Sequence, residues 1–221
     1  MIISRGICLI IGYAFGLFQT GYIYGKAHHI DIREYGSGNA GSTNTLRTLG
    51  VKAGAITFIG DLGKGMLAML VAWLLFHEKY PDTVKVFEMY AGLGAVLGHN
   101  FPCYLKFKGG KGIACSAGLA LAFYFPIALL CLVLFIVVVA LTKYVSLGSI
   151  LVAICFLIQL IVFGQLGYYQ VDAALLPEIY VLGALLCCLA LWRHRANIKR
   201  LLNGTENKFS MRNAGNKVAK K

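Results

Sequence analysis

A glycine- and lysine-rich stretch at residues 98–112 interrupts a chain that is otherwise mostly apolar. Within it three glycines flank one lysine, and a helix is predicted to begin directly after the last glycine. Backbone N–H groups at the N-terminus of a helix, beside a lysine, form a favourable site for an anion. The pattern therefore predicts that this loop holds a phosphate at a membrane surface. The residues predicted to bind it are Lys108, Gly109, Gly110, Lys111 and Gly112.

This loop has two other interpretations, of which the first fits it less well and the second fits it equally well. A nucleotide-binding P-loop requires Gly-x-x-x-x-Gly-Lys-[Ser/Thr], in which the hydroxyl binds Mg²⁺. Here Gly112 stands where the hydroxyl residue belongs, and Leu105 stands where the first glycine belongs. Binding of ATP or GTP is therefore not expected. A connector whose lysines face lipid headgroups is an equally good alternative.

The segment 35–50 offers a second set of polar groups for an anion. Its small residues allow a ligand to approach the backbone, and the guanidinium of Arg47 is a planar fork that suits phosphate. The alternative is a solvated loop that leads into a helix capped by Ser42 or Thr43. We favour ligand binding, because neutral hydrogen-bonding groups are dense beside one arginine. Those that we single out are Ser37, Asn39, Thr43 and Asn44.

A basic amphipathic helix is predicted after the last apolar run, and Gly204 is predicted to end it. In this helix His194 and Asn197 lie three residues apart and therefore on one face. An interfacial anchor would explain Lys199 and Arg200, whose charges we expect on lipid headgroups. It does not require the His–Asn pair, so we single out His194 and Asn197 as candidates for chemistry.

Two further places combine polar groups with apolar surroundings. Asp61 and Lys64 lie three residues apart inside an apolar run. Ionisable groups at membrane depth usually mark a functional site or a buried pair, and both interpretations stay open here. Ser146 opens another apolar run, where it is either a helix N-cap or a hydrogen-bond donor to a ligand.

The composition is that of a membrane protein. Hydrophobic residues make up 58% of the 221 residues and the mean hydropathy is +0.71, whereas soluble domains are roughly half apolar and about a quarter charged. The formal charge of +12 then indicates basic cytoplasmic loops that favour membrane lipids or anionic substrates. No nucleic-acid partner is expected, because no basic and aromatic platform occurs outside the apolar runs.

We predict an all-α integral membrane protein with seven transmembrane helices, since about 20 helical residues cross a hydrocarbon core. Proline at position 126 divides an apolar run that is too long for one crossing, although a re-entrant segment at 114–124 is an alternative. The predicted spans are 2–24, 53–76, 87–97, 114–124, 126–141, 147–163 and 177–192.

The basic residues determine the predicted orientation, because lysine and arginine concentrate in cytoplasmic loops. With the N-terminus outside and the C-terminus inside, seventeen of the twenty-one basic residues fall on the cytoplasmic face. Every glycine-rich polar segment then lies on that face, where we predict the active site. We expect residues 1–206 to form one domain and residues 207–221 to form a polar, disordered cytoplasmic tail.

Neither a disulfide nor a bound metal is expected. The seven cysteines lie mostly inside apolar runs, and none has C-x-x-C spacing or a histidine in a ligand pattern. The N-terminal apolar run lacks a small-residue cleavage site and is long enough to span a membrane. We therefore interpret it as the first membrane helix and not as a signal peptide.

Several motifs, in order from the first loop to Glu206, together resemble the bacterial acyl-phosphate:glycerol-3-phosphate acyltransferases of the PlsY type. They are Gly-Ser-Gly-Asn-x-Gly-x-Thr-Asn at 36–44 with Arg47, Gly-Asp-Leu-Gly-Lys-Gly at 60–65, Gly-His-Asn-Phe-Pro at 98–102, Phe-Lys-Gly-Gly-Lys-Gly at 107–112, Val-Ser-Leu-Gly-Ser at 145–149 and Arg-His-Arg-x-Asn-Ile-x-Arg-Leu-x-x-Gly-Thr-Glu at 193–206. Ala40 and Ser42 stand where the family more often shows proline and alanine, and neither change removes a charge.

The resemblance implies a seven-span enzyme of the bacterial cytoplasmic membrane that works without a cofactor. It would transfer a fatty acyl group from acyl phosphate to the 1-hydroxyl of glycerol 3-phosphate, giving lysophosphatidic acid and phosphate, at the start of phospholipid biosynthesis. By motif, the glycerol 3-phosphate and active-site residues would be Ser37, Arg47, Lys111, His194 and Asn197. The phosphate binders would be Thr43, Asn44 and the 109–112 loop, with Ser146 as a weaker candidate.

Two alternatives accompany this prediction. The general base could be His194 or a phosphate oxygen of a substrate. A transporter or channel for a phosphorylated solute is the alternative function, since broken helices with glycines and buried charges also suit transport. The polar segments gather at one face and the sequence has no internal repeat, which favours the enzyme.

Overall fold

A computed structural model describes residues 1–209; residues 210–221, most of the predicted tail, lie outside the described part of the chain. The described residues form ten α-helices and three short 3₁₀ helices, as expected of an all-α protein. The α-helices are α1 (Ile2–Gly16), α2 (Thr20–Ala27), α3 (Ser42–Leu49), α4 (Val51–Phe76), α5 (Val84–Asn100), α6 (Ile113–Phe123), α7 (Phe125–Thr142), α8 (Val145–Gln165), α9 (Leu176–Arg193) and α10 (Arg195–Leu202). The 3₁₀ helices are Ile32–Glu34, Cys103–Leu105 and Ala173–Leu175.

Within residues 1–209, five helical stretches are long and apolar enough to cross a membrane. They are Ile2–Ala27, Val51–Phe76, Phe125–Thr142, Val145–Gln165 and Ala173–Arg193. Two of the predicted spans fall short of that length. Helix α5 has 17 residues, most of them buried in the bundle, and α6 has 11 residues, which is about 17 Å of helix.

Helices α1 and α5 form the most extensive helix pair, and their backbones touch. A Cβ atom added at Gly12 would lie 1.9 Å from the carbonyl oxygen of Ala91. Helices in a membrane associate mainly through van der Waals packing, so small residues four apart allow the close approach that this packing needs. The glycines that make these contacts are Gly12 and Gly16 of α1 and Gly94 and Gly98 of α5.

Helix α6 lies beside α5, and its contacts reach both ends of that helix. It begins beside Asn100 at the end of α5, because a Cβ at Gly112 would lie 2.9 Å from the Asn100 side chain. At its other end, the carbonyl of Phe123 accepts a hydrogen bond from Lys85 at the start of α5 (3.3 Å). The Phe123 ring also packs on Tyr169, which follows the end of α8.

Two local features differ from the sequence prediction. The predicted span 2–24 divides between α1 and α2, where the side chain of Gln19 turns back to donate to the carbonyls of Gly16, Gly98 and His99. In the segment 35–50, the helix that the alternative interpretation placed after the loop is α3, but its N-cap is not one of the two candidates. Gly41 occupies the N-cap position of α3 in place of Ser42 or Thr43.

The substitution Gly12→Ala is expected to destabilise the protein, whereas Gly6→Ala on the same helix is not. A methyl group at position 12 would overlap the backbone of α5, and position 6 has no atom within 4 Å. Overpacking of this kind typically costs about 1–3 kcal/mol. Thermal unfolding in detergent measures the effect. Equal unfolding temperatures for the two variants would contradict close packing of α1 on α5.

Candidate active site

A polar cavity of about 450 Å³ opens where the ends of α5 and α9 meet the beginnings of α3, α6 and α8. Thr43, Ile113 and Ser146, from the first turns of α3, α6 and α8, contribute to its wall. The first N–H groups of a helix have no partner within the helix and carry partial positive charge. Three helix N-termini at one cavity therefore favour a bound anion.

Ten of the thirteen predicted site residues line this cavity. They are Ser37, Asn39, Thr43, Asn44, Arg47, Lys111, Gly112, Ser146, His194 and Asn197. The fold thus brings together the four polar segments that the sequence keeps apart. The other three predicted residues do not line it: Lys108 is exposed, and Gly109 and Gly110 are buried.

The amides of Gly109 and Gly110 do not point at the cavity, which corrects the prediction for these two residues. Gly109 donates to the carbonyl of Asn100 (3.2 Å) and Gly110 donates to the carbonyl of His99 (3.0 Å). From the other side, Arg193 donates to the carbonyls of both glycines, at 3.0 Å and 2.6 Å. The two glycines therefore fix the loop in place.

Asn44 organises the segment before α3. Its side-chain amide donates to the carbonyls of Ile32 and Tyr35 (3.0 Å each), and its oxygen accepts from the N–H of Ser37 (2.8 Å). These bonds use both polar ends of the Asn44 side chain. Asn44 therefore shapes the wall that carries Ser37, and its contribution to ligand binding is indirect.

A chain of polar contacts joins the lysine loop to the C-terminal helix. Lys111 Nζ donates to Asn197 Oδ1, and Asn197 Nδ2 donates to Glu206 (3.0 Å). The same carboxylate accepts from Arg200 Nε (2.8 Å), and Arg47 reaches this cluster from α3. Three cations therefore surround one carboxylate, and the excess positive charge favours an anion.

Arg200 and Glu206 lie outside the predicted set of site residues. The predicted headgroup contact of Arg200 is wrong, since its guanidinium binds Glu206 and lines the cavity. A signal was available in the sequence, because Glu206 is the single acid in the basic stretch 193–206. A carboxylate buried among arginines is normally paired with one of them.

The site extends past residue 206, where the predicted domain ends. Asn207 and Phe209, which belong to the predicted tail, line the cavity. The N–H of Phe209 donates to the carbonyl of Lys143 (2.6 Å), which ties this segment to the turn before α8. Asn207 and Phe209 therefore belong to the site.

The crowding of positive charge changes the acidity of the cavity lysine. Burial lowers the pKa of Lys111 to about 8; Glu206 opposes this shift, and the neighbouring arginines add to it. Burial also lowers the pKa of the Arg47 guanidinium from its ordinary value. An anion bound among these groups would relieve their mutual repulsion.

His194 follows α9 and is 2% exposed. Its Nδ1 lies 2.8 Å from the carbonyl oxygen of Ala190. Since a carbonyl can only accept, Nδ1 carries the ring proton and Nε2 keeps its lone pair. Burial, and after it the charge of Lys111, lower the pKa of His194 to about 4. The ring is therefore neutral at pH 7 and can accept a hydrogen bond from a hydroxyl.

Ser146 is buried in the first turn of α8. Tyr144 holds the N-cap position of that helix, so the N-cap interpretation of Ser146 does not hold. Its hydroxyl has no hydrogen-bond partner within residues 1–209, although buried hydroxyls are normally paired. Because Ser146 also lines the cavity, the hydroxyl is available to a ligand.

Asp61 and Lys64 form a buried ion pair beside the cavity, with 2.8 Å between Oδ1 and Nζ. Lys64 also donates to Nδ1 of His99 (2.7 Å) and to the carbonyl of Phe18 (2.7 Å). Asp61 and His99 belong to the cavity wall, although neither is among the predicted site residues. The position of His99 within the motif at 98–102 was the available signal.

An apolar groove of about 190 Å³ adjoins the polar cavity. It lies between α6, α7, α8 and α9, and it shares Phe58, Ile113 and Phe135 with the cavity wall. Its remaining lining is apolar except for Ser116. A space of this kind accommodates a hydrocarbon chain.

Fold and site together define a helical membrane protein with a cation-lined cavity joined to an apolar groove. The chain belongs to the glycerol-3-phosphate acyltransferase family, whose model matches residues 6–204. This confirms the family predicted from the motifs.

Individual relatives agree with the family assignment. A glycerol-3-phosphate acyltransferase of Clostridioides difficile (strain 630) is 44% identical over 212 residues, which is 96% of this chain and 98% of the relative. One of Bacillus subtilis (strain 168) is 43% identical over 202 residues, with 90% and 95% covered. A crystal structure of PlsY, an integral membrane glycerol 3-phosphate acyltransferase, in its glycerol 3-phosphate form has a TM-score of 0.79 at 35% identity and covers 94% of this chain and 96% of that chain. Its lysophosphatidic acid form has a TM-score of 0.79 at 31% identity, with 95% and 97% covered.

The affinity of the cavity for sulfate is expected to fall as the pH rises from 7 to 9. Lys111, with a pKa of about 8, is protonated below that pH and loses its proton above it, whereas sulfate keeps its charge. The protonated fraction of Lys111 falls about tenfold between these pH values, so the loss of its charged hydrogen bond should weaken binding by up to about tenfold. Isothermal titration calorimetry with sodium sulfate measures the affinity.

Two variants serve as controls for this pH dependence. Lys111→Arg keeps its charge, so its affinity should stay level from pH 7 to 9. Lys108→Ala removes an exposed charge outside the cavity and should follow the unmodified protein. The same decline in Lys111→Arg would show that another group titrates.

Proposed function

We propose that this chain transfers a fatty acyl group from acyl phosphate to the 1-hydroxyl of glycerol 3-phosphate, giving lysophosphatidic acid and phosphate, as the first step of phospholipid biosynthesis. The observation that carries the proposal is the direct connection between a cation-lined cavity and an apolar groove. A small phosphate ester suits the cavity, and a fatty chain suits the groove. Family membership and the likeness to PlsY support it.

In this proposal the cavity holds the phosphates of both substrates. Arg47 and Lys111 bind the phosphate of glycerol 3-phosphate, since a guanidinium fork and an ammonium both form charge-assisted hydrogen bonds with it. Thr43 and Ser146 add hydroxyl contacts from the first turns of α3 and α8. Asn197, held between Lys111 and Glu206, keeps the ammonium directed into the cavity.

The donor lies across the junction of groove and cavity, with its chain in the groove and its phosphate among the cations. Its carbonyl is then close to Ile113, the first residue of α6, where the two spaces meet. The unpaired N–H groups of the first turn of α6 are suited to stabilise the negative charge that develops on the carbonyl oxygen.

We propose direct transfer between the two substrates. The 1-hydroxyl oxygen attacks the acyl carbon, the bond from that carbon to the phosphate oxygen breaks, and the hydroxyl proton ends on the released phosphate. His194, with a pKa of about 4, is a weak base, so it orients the hydroxyl through Nε2 while a phosphate oxygen accepts the proton. Among residues 1–209, no cysteine lines the polar cavity, so none is placed there to form an acyl-enzyme.

Transport of a phosphorylated solute is not favoured. Relatives that cover 90% or more of this chain are named acyltransferases. The cavity also leads sideways into an apolar groove between helices, which suits a lipid chain and does not suit passage of a charged solute.

We further propose seven crossings of a bacterial cytoplasmic membrane, with the N-terminus outside and the C-terminus inside. The contacts of α6 support a full crossing of the membrane and not a re-entrant segment. Its first residue lies at the site, where α8 begins, and its last residue contacts the segment after α8. Helix α5 is short for a span, yet it is enclosed by other helices, so lipid need not match its length.

Purified protein supplied with a long-chain acyl phosphate and glycerol 3-phosphate should form lysophosphatidic acid. Double-reciprocal plots of the initial rate, with both substrates varied, should give intersecting lines, because both substrates must be bound before transfer. Labelled acyl phosphate alone should leave no stable acyl group on the protein. Parallel lines with a competent acyl adduct would refute direct transfer, and solute flux into liposomes without product would favour the transporter.

In the same assay, Arg47→Ala should lower kcat/KM for glycerol 3-phosphate by roughly 10- to 100-fold, the value of a charged hydrogen bond. Arg47→Lys should restore only part of it, because lysine lacks the planar fork. Lys52→Ala, an exposed neighbour outside the cavity, is the matched control. An equal loss in the control would indicate a general effect of membrane charge.

The proposed orientation is tested by cysteine labelling in intact cells, on a background without the native cysteines. A cysteine at Lys79 should react with an impermeant reagent, and one at Lys108 should react only after the membrane is opened. The two positions lie in loops at opposite ends of α5 and are both exposed. Labelling of position 108 from outside would reverse the orientation.

A further inference from the structure

A buried polar network lies behind the lysine loop, and the proposed reaction does not use it. The ammonium of Lys64 donates to Oδ1 of Asp61 (2.8 Å), to Nδ1 of His99 (2.7 Å) and to the carbonyl of Phe18 (2.7 Å). Three donors thus meet three acceptors, so Lys64 has no proton left for a ligand. The network connects the break between α1 and α2 with α4 and α5.

The contact with Lys64 determines how the His99 ring is protonated and held. Because an ammonium can only donate, Nδ1 of His99 accepts, and the ring proton is on Nε2. That edge of the ring faces Gly110, where an added Cβ would lie 2.0 Å from Nε2. The carbonyl of His99 also accepts the N–H of Gly110 (3.0 Å).

Gly109 and Gly110 are therefore clamped from two sides. The end of α5 holds their amides, and Arg193 holds their carbonyls. The next residue is Lys111, whose ammonium reaches Asn197 in the cavity. A small rotation of the glycine backbone would move that ammonium away from the cavity.

We propose that Lys64 and His99 are positioning residues for phosphate binding. Through His99, the buried Lys64–Asp61 pair holds the glycines so that the Lys111 ammonium faces the bound phosphate. This inference rests on the proposed function, in which that phosphate belongs to glycerol 3-phosphate. Neither Lys64 nor His99 needs to touch the substrate.

The test begins with His99→Asn, since the asparagine oxygen can still accept from Lys64 but lacks the ring edge that packs on Gly110. We expect the KM for glycerol 3-phosphate to rise roughly tenfold, with kcat and the KM for acyl phosphate within about twofold. Sulfate affinity should fall by a similar factor. The unfolding temperature in detergent should stay within a few degrees. An unchanged KM and an unchanged sulfate affinity would overturn the proposal.

A double-mutant cycle with Lys111→Ala tests whether His99 acts through Lys111. In the Lys111→Ala background, His99→Asn should change sulfate affinity by less than about twofold, because the group that it positions is gone. Effects that multiply in the double variant would show that His99 acts independently and would overturn the proposal. Sulfate binding needs no turnover, so this outcome is distinguishable from failure of the acyl-transfer assignment.

The buried pair is tested without changing net charge. Asp61→Asn combined with Lys64→Gln should weaken sulfate binding and raise the KM for glycerol 3-phosphate. The control is Lys85→Gln combined with Glu88→Gln. These residues form an ion pair (2.9 Å) that is also three residues apart, at the far end of α5, and their replacement should leave both values unchanged. Equal effects of the two double variants would indicate general loosening of the bundle and would overturn the proposal. If the first double variant does not fold, His99→Asn and its cycle decide.

Discussion

The site depends on how the carboxyl end of α5 satisfies its last carbonyl groups. Four carbonyls at the end of a helix have no partner within it, and leaving them unpaired away from water is costly. Phe101 N–H, the side chain of Gln19, and the amides of Gly110 and Gly109 supply the partners. The break after α1, which places Gln19, and the glycine loop, which places Lys111, therefore both serve this one helix end.

Glu206 sets the balance of charge in the cavity. Arg47, Lys111 and Arg200 are partly buried and would repel one another without a counter-ion, which is unfavourable away from bulk water. One carboxylate, held by Arg200 and Asn197, reduces that repulsion and still leaves an excess of positive charge. A second carboxylate would halve that excess and would weaken the attraction for an anion.

Much of the site could be predicted from the sequence, because its chemistry is carried by recognisable residues in polar segments between apolar runs. Arg47, His194 and Asn197 belong to that group. The direction of the Gly109 and Gly110 amides could not be predicted, since their partners are carbonyls at the end of α5 and only the packed fold brings these together. Arg200 poses a similar problem, because an arginine on an amphipathic helix suits a headgroup or a buried acid equally well.

Several residues hold the glycine loop before Lys111 in place, and the proposed reaction explains why its position matters. In the proposed reaction the donor, a mixed anhydride, is already activated, so the main obstacle is the approach of two phosphates of like charge. Two unit charges 4 Å apart repel by about 1 kcal/mol in water and by several times more at a partly buried site. The position of each cation therefore affects both the binding and the orientation of the substrates. A neutral His194 adds no charge to this balance. In this proposal, the contacts that hold Gly109 and Gly110, from His99 on one side and Arg193 on the other, contribute to phosphate binding by fixing where the Lys111 charge lies.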